Sequence, residues 1–162
     1  MISDAALIRD LKTIAGAGHV HTGAQGIRRF VTGYRHGEGR AVAVVLPGSL
    51  VDLWRIARAC VRAGRIIIMQ AANTGLTGGS TPDGVYDRGV VVINTMRLKG
   101  IHMLNAGAQV VCLPGATLFE LERELRPLNR EPHSEIGSSC LGASVQGGVC
   151  NSSGGALVRR GP

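Results

Sequence analysis

Apolar positions along the chain follow two alternating rhythms. Leu7, Ile8, Leu11, Ile14 and Ala15 recur at helical spacing after Ser3, with Asp4 in the first turn and Gly16 and Gly18 beyond the last. That pattern predicts a helix capped by Ser3. Residues 25–34 read as a short basic helix, and residues 41–46 as a buried strand halted at Pro47-Gly48. Ser49-x-x-Asp52 then reads as a capping box. The helix behind it carries an apolar stripe of Leu50, Leu53, Trp54, Ala57, Cys60 and Val61, with Arg55, Arg58 and Arg62 on other faces and Gly64 at its end. Residues 66–69, an unbroken Ile-Ile-Ile-Met run, predict a strand buried on both faces, because no polar residue alternates with them. Strand, helix and strand make a β-α-β unit, so the strands should be parallel with a right-handed crossover.

Further strands are predicted at 90–93, at 97–104 with Ile101 and Met103 on one face, and at 109–113. Thr117-x-x-Glu120 is a second capping box, and its helix turns Leu118, Leu121, Leu125 and Leu128 inward.

Two tracts of small residues interrupt this order. The first, 71–80, leaves the C-terminal end of the Ile-rich strand, where open α/β sheets tend to place ligands. Its glycines, Gly75, Gly78 and Gly79, have no Cβ to hold a ligand away from the backbone. Successive inward N–H groups there would suit a phosphate or diphosphate, with hydroxyls from Thr74, Thr77 and Ser80. The loop contains no Lys, so it is not a P-loop, and it does not match G-x-G-x-x-G. By composition alone a plain surface loop remains open. The second tract, 137–155, includes Ser144, Gly147-Gly148 and Gly154-Gly155, with apolar insertions that mark it as ordered. Close helix packing is one reading of it. Two such tracts in one small domain favour an extended ligand shared between them.

Composition narrows the rest. The chain has 162 residues, 44% hydrophobic and 18% charged, which suits a folded domain. Net charge is +7, but aromatics are 3% and the arginines are scattered, which argues against nucleic acid and leaves anionic lipid headgroups open. Cys60, Cys112, Cys140 and Cys150 form no C-x-x-C, and no signal peptide or membrane span is found, so reduced thiols in the cytoplasm are expected. His19 and His21 have no further ligands nearby, so no metal site is assigned. No G-x-S-x-G elbow presents a serine, and His133 beside Ser134 is suggestive only by proximity.

The residues also resemble a known family. Pro-Gly-Ser-Leu at 47–50, Leu-Trp-Arg at 53–55, Met-Gln-Ala-Ala-Asn-Thr-Gly-Leu-Thr at 69–77 and Gly-Ser-Thr-Pro at 79–82 are similar to the flavin domain of bacterial quinone-dependent (respiratory) D-lactate dehydrogenases. So are Arg-Glu-Pro-His-Ser at 130–134, Ile-Gly-Ser-Ser-Cys at 136–140 and Cys-Asn-Ser-Ser-Gly-Gly at 150–155. The wider group is the vanillyl-alcohol-oxidase-like, PCMH-type flavoproteins.

The resemblance implies an α+β fold: a small parallel β-α-β subdomain, then part of a mostly antiparallel subdomain, with FAD between them. It divides the chain into a helical segment, 1–40, and an FAD-binding domain, 41–162, incomplete at its C-terminus. The implied flavin contacts are Ala71, Ala72, Asn73, Thr74, Gly75, Gly79 and Ser80, then Gly137, Ser144 and Gly154. No His or Cys stands in 71–80, so FAD is expected to be non-covalent. The implied reaction oxidises D-lactate to pyruvate and passes electrons through FAD to a quinone, on the cytoplasmic face of the bacterial inner membrane. The substrate base and anchors are expected beyond residue 162, and no residue here is assigned a catalytic role. The alternative is a truncated flavin-binding module without activity of its own.

Overall fold

The computed structural model describes residues 2–132, 136 and 138–155. These fall into two units, Met1–Arg97 and Leu98–Pro162.

The first unit holds a four-stranded sheet of β1 (Val20–His21), β2 (Ala43–Val45), β3 (Ile66–Gln70) and β4 (Val90–Asn94), in the order β1-β2-β4-β3. β2 and β3 both run parallel to β4, and β1 is antiparallel to β2. The strands of the β-α-β unit are therefore parallel but not adjacent, because β4 lies between them. Three helices cover the sheet: α1 (Asp4–Ala15), α2 (Ala24–Val31) and α3 (Leu50–Arg62). Ala43, Val45, Val91 and Ile93 share a core with Leu7 and Leu11 of α1 and Ile56, Ala59 and Cys60 of α3. Val44, Val90 and Val92 share another with Ile27, Phe30 and Val31 of α2. Successive strand residues thus feed opposite cores, which is why β2 and β4 are apolar without alternation.

Two sequence expectations fail here. Residues 66–69 are not buried on both faces: β3 is an edge strand, half-buried at its isoleucines, with Met69 48% exposed. The inward face of α3 is also rotated from the expected stripe, of which Leu53 and Cys60 do pack against the core. Ile56, Ala59 and Cys60 are buried, while Leu50, Trp54 and Val61 face solvent, and the Arg58 guanidinium stacks 4.7 Å from the Trp54 ring centre. Cys60 is a small core hydrophobe, and burial pushes its thiol up to about 11.

Ser3 and Ser49 cap their helices, but the box expected at Ser49 is only half formed, because no bond returns from the Asp52 carboxylate to the Ser49 N–H. Ser3 Oγ accepts the Ala6 N–H at 3.3 Å, and Ser49 Oγ accepts the Asp52 N–H at 3.0 Å. Arg65, just before β3, donates to the Asp4 carboxylate and the Ile2 carbonyl, tying the start of α1 to the sheet.

The second unit pairs β5 (Ile101–Leu104) with β6 (Gln109–Cys112) as an antiparallel hairpin, followed by α4 (Leu118–Leu125) and α5 (Val145–Cys150). Its core is Leu118, Leu121, Leu125, Ala143 and Val145, against Ile101, Met103, Val110 and Cys112. Leu128, expected inward, lies past the end of α4 and is 43% exposed. The Thr117 box is complete: Thr117 Oγ1 accepts the Glu120 N–H at 3.1 Å and Glu120 Oε2 accepts the Thr117 N–H at 2.9 Å. Lys99 adds a 2.9 Å contact, and these partners hold the Glu120 carboxyl down at about 2. His133, Ser134 and Gly137 lie outside the described residues.

Candidate cofactor-binding site

The loop 71–80 leaves the C-terminal end of β3, as the chain pattern predicts. Its main chain has an unusual property. Among the described residues, no backbone N–H from Ala71 to Ser80 donates a hydrogen bond. The first bonded amide after β3 is that of Thr81, which donates to the Gly78 carbonyl at 2.8 Å. Backbone donors are obligatory hydrogen-bonding groups, so ten in succession without a protein partner need solvent or a ligand.

The loop keeps its shape through side chains instead. Asn73 stands in the left-handed region at φ 56°, a conformation that asparagine tolerates better than most residues. Its Nδ2 donates to the Thr32 carbonyl at 2.9 Å, and its Oδ1 accepts the Ser80 hydroxyl at 2.9 Å. Beneath the loop, Gln70 Nε2 donates to the carbonyls of Phe30 (2.8 Å) and Ser80 (2.9 Å). Asn94 Nδ2 donates to Gln70 Oε1 (3.2 Å) and to the Ala71 carbonyl (2.8 Å), while Asn94 Oδ1 accepts the Met96 N–H at 3.1 Å.

The expected contact residues separate into groups. Ala71, Ala72, Thr74, Gly75 and Gly79 lie together on this one loop and offer main-chain N–H groups. The Thr74 and Thr77 hydroxyls make no hydrogen bond among the described residues. Asn73 and Ser80 belong to the same loop, but their side chains are engaged with each other, which leaves their amides available. Ser144 and Gly154 belong to the second unit. Ser144 is buried and caps α5, its Oγ accepting the Gly147 N–H at 3.0 Å. Gly154 is half-buried beyond that helix, and Gly137 is not among the described residues. Gln70 and Asn94 were not singled out from sequence. The signal was there: each is the one polar residue closing an otherwise apolar strand.

The donor set fits the diphosphate of FAD. A Cβ placed on Gly75 or Gly79 would meet no heavy atom within 4 Å, so the space before both glycines is open. No Asp or Glu lies between residues 71 and 80, and the nearby Asp83 carboxylate lies beside Gly78, not before Gly75 or Gly79. Gly39 shows the opposite use of glycine: a Cβ there would collide with the Pro82 carbonyl. Closeness at Gly39 lets the 32–39 turn lie against the chain leaving the loop, and openness at Gly75 and Gly79 leaves room for a guest.

The chain is similar to known proteins. The chain is 57% identical over 158 residues to the quinone-dependent D-lactate dehydrogenase of Escherichia coli (strain K12), covering 97% of this chain and 28% of that protein. To the quinone-dependent D-lactate dehydrogenase of Haemophilus influenzae it is 58% identical over 157 residues, covering 96% and 28%. The chain therefore spans little more than a quarter of the length of these relatives. Among solved structures, alkyldihydroxyacetonephosphate synthase superposes with a TM-score of 0.78 at 18% identity, over 92% of this chain and 30% of that one. Substrate-bound p-cresol methylhydroxylase superposes with a TM-score of 0.71 at 14% identity, over 90% and 28%. These likenesses establish the PCMH-type α+β fold, with a mainly parallel sheet in one unit and an antiparallel pair in the other. Residues 41–161 match the FAD binding domain family, a span that contains the whole unpaired loop. With a diphosphate-ready loop on the expected strand end and that match over most of its length, the chain belongs to the FAD binding domain family.

Proposed function

We propose that this chain is the FAD-binding portion of a quinone-dependent D-lactate dehydrogenase, holding FAD non-covalently by its diphosphate. The carrying observation is the run of unpaired N–H groups at 71–80. Ala71, Ala72, Asn73, Thr74, Gly75, Gly79 and Ser80 supply main-chain donors, with hydroxyls from Thr74 and Thr77. Such donors bind without reorganisation, because the loop's own carbonyls at its two ends are already occupied. Gly137, Ser144 and Gly154 are assigned further cofactor contacts, Ser144 through its main chain because its hydroxyl caps α5. FAD, when bound, supplies two-electron oxidation of a 2-hydroxy acid. Residues 41–162 carry the cofactor role in this reading, and 1–40 form a helical lead-in.

D-lactate as donor and a quinone as acceptor are carried over from the relatives at 57–58% identity. A quinone acceptor implies work at a membrane surface, and the +7 charge suits anionic headgroups on the cytoplasmic face. No helix among the described residues is long and apolar enough to cross a membrane.

Titration of the purified chain with FAD, followed by flavin fluorescence quenching, tests the cofactor reading. Saturable binding is expected, and its absence would overturn it. Anaerobic D-lactate added to a flavinated protein spanning the relatives' full length tests the reaction. Bleaching of the flavin is expected there, and a flavin that stays oxidised would refute the substrate assignment. A flavin-binding module without its own activity is the second reading, since the unpaired N–H run speaks for cofactor binding alone. It expects FAD binding by this chain and no bleaching.

A further inference from the structure

Gln70 and Asn94 stand opposite each other in the β3–β4 register, at the C-terminal ends of the two strands. Both are buried, at 2% and 4% exposure. Amides so placed must be fully hydrogen-bonded or they cost stability. Here both side-chain NH₂ groups donate twice and both side-chain oxygens accept. Their choice of partners matters more than their number. The carbonyls they hold, Ala71 and Ser80, are the first and last of the glycine loop.

Three consequences follow from that arrangement. The loop has no main-chain pairing through its N–H groups, so its shape must come from elsewhere. Carbonyl oxygens turned toward a diphosphate would repel it, and two of them are instead held by buried amides. An apolar pair would sit comfortably between these isoleucine- and valine-rich strands but would leave both carbonyls unanswered, and a carboxylate would oppose them.

The geometry points to a positioning role: Gln70 and Asn94 form a buried latch that holds 71–80 in its diphosphate-receiving shape before any cofactor arrives. This rests on the FAD reading above. The pair acts through the loop, and the loop N–H groups make the contact.

The test uses Gln70→Glu and Asn94→Ala in the intact 162-residue chain. Gln70→Glu keeps the shape but replaces a double donor facing two carbonyls with an acceptor. Backbone ¹⁵N order parameters without FAD are expected near about 0.85 across 71–80 in the unsubstituted chain and below about 0.6 in both variants, while β2 and β4 stay rigid. The Kd for FAD is expected to rise by about tenfold or more. In Gln70→Glu it should weaken further as pH rises and the carboxyl ionises, a trend the unsubstituted chain lacks. A simple loss of packing would not produce that pH trend. A folded variant with an equally ordered loop and a Kd within about twofold of the unsubstituted chain would overturn the latch. If Gln70→Glu does not fold, Asn94→Ala, which leaves the Phe30 and Ser80 contacts in place, decides the matter. Failure of the unsubstituted chain to bind FAD would sink the functional reading instead. The order parameters, taken without cofactor, still judge the latch in that case.

Discussion

Glycines in this protein serve opposite ends, and substitution separates them. Gly75 faces open space, so Gly75→Val is expected to fold with an unchanged melting temperature while losing FAD binding in a fluorescence titration. A valine that destabilised the chain, or that left affinity intact, would contradict the picture of an open diphosphate approach. The loop itself was readable from sequence, because a β-branched run entering small residues and glycines is a local signal. The roles of Gln70 and Asn94 were not. They are 24 residues apart, and nothing local shows that their amides meet or that they reach the carbonyls of Ala71 and Ser80. Asn73 and Ser80 are expected as flavin contacts, and their side chains bond each other across the loop.

Helices and strands show which local rules survive folding. Side-chain caps form at Ser3, Ser49 and Thr117, because a cap involves only residues three apart, although the box at Ser49 lacks its return bond from Asp52. The facing of α3 does not follow from its pattern, since its sequence offers two apolar stripes and only the partners choose between them. Ile56→Ala is therefore expected to cost about 2–5 kcal/mol in denaturant unfolding, and Trp54→Ala less than about 1 kcal/mol. The reverse order would mean that the stripe through Trp54 is the buried one. The Glu120 box carries a pH dependence of known sign. Its carboxyl lies at about 2 in the folded chain against 4.5 ordinarily, so its contribution is complete above 4.5 and is lost as pH falls toward 2. Thermal melts over that window should fall less steeply for Glu120→Gln than for the unsubstituted chain. Parallel curves would show that the carboxylate does not contribute.

For the molecule as a whole, cofactor and stability are linked. FAD at about one hundred times its Kd should stabilise the chain by about 2.7 kcal/mol, read as a rise in melting temperature that grows with FAD concentration. A melting temperature indifferent to FAD would mean that the folded state has no preferential affinity for it. The burial of the strands also belongs at this level. The run at 66–69 is as apolar as a central strand, and by periodicity it should be one. Insertion of β4 between β2 and β3 leaves it at the edge, with Met69 exposed.

Short-range information in the chain was enough for α1 to α4, for β2 to β6 and for the glycine loop with its missing side chains. Each of these depends on neighbours a few residues away. Folding in three dimensions settled the sheet order, the buried face of α3 and the pairing of Gln70 with Asn94. Those depend on contacts between segments distant in sequence, where several partners satisfy the same local pattern and packing selects one.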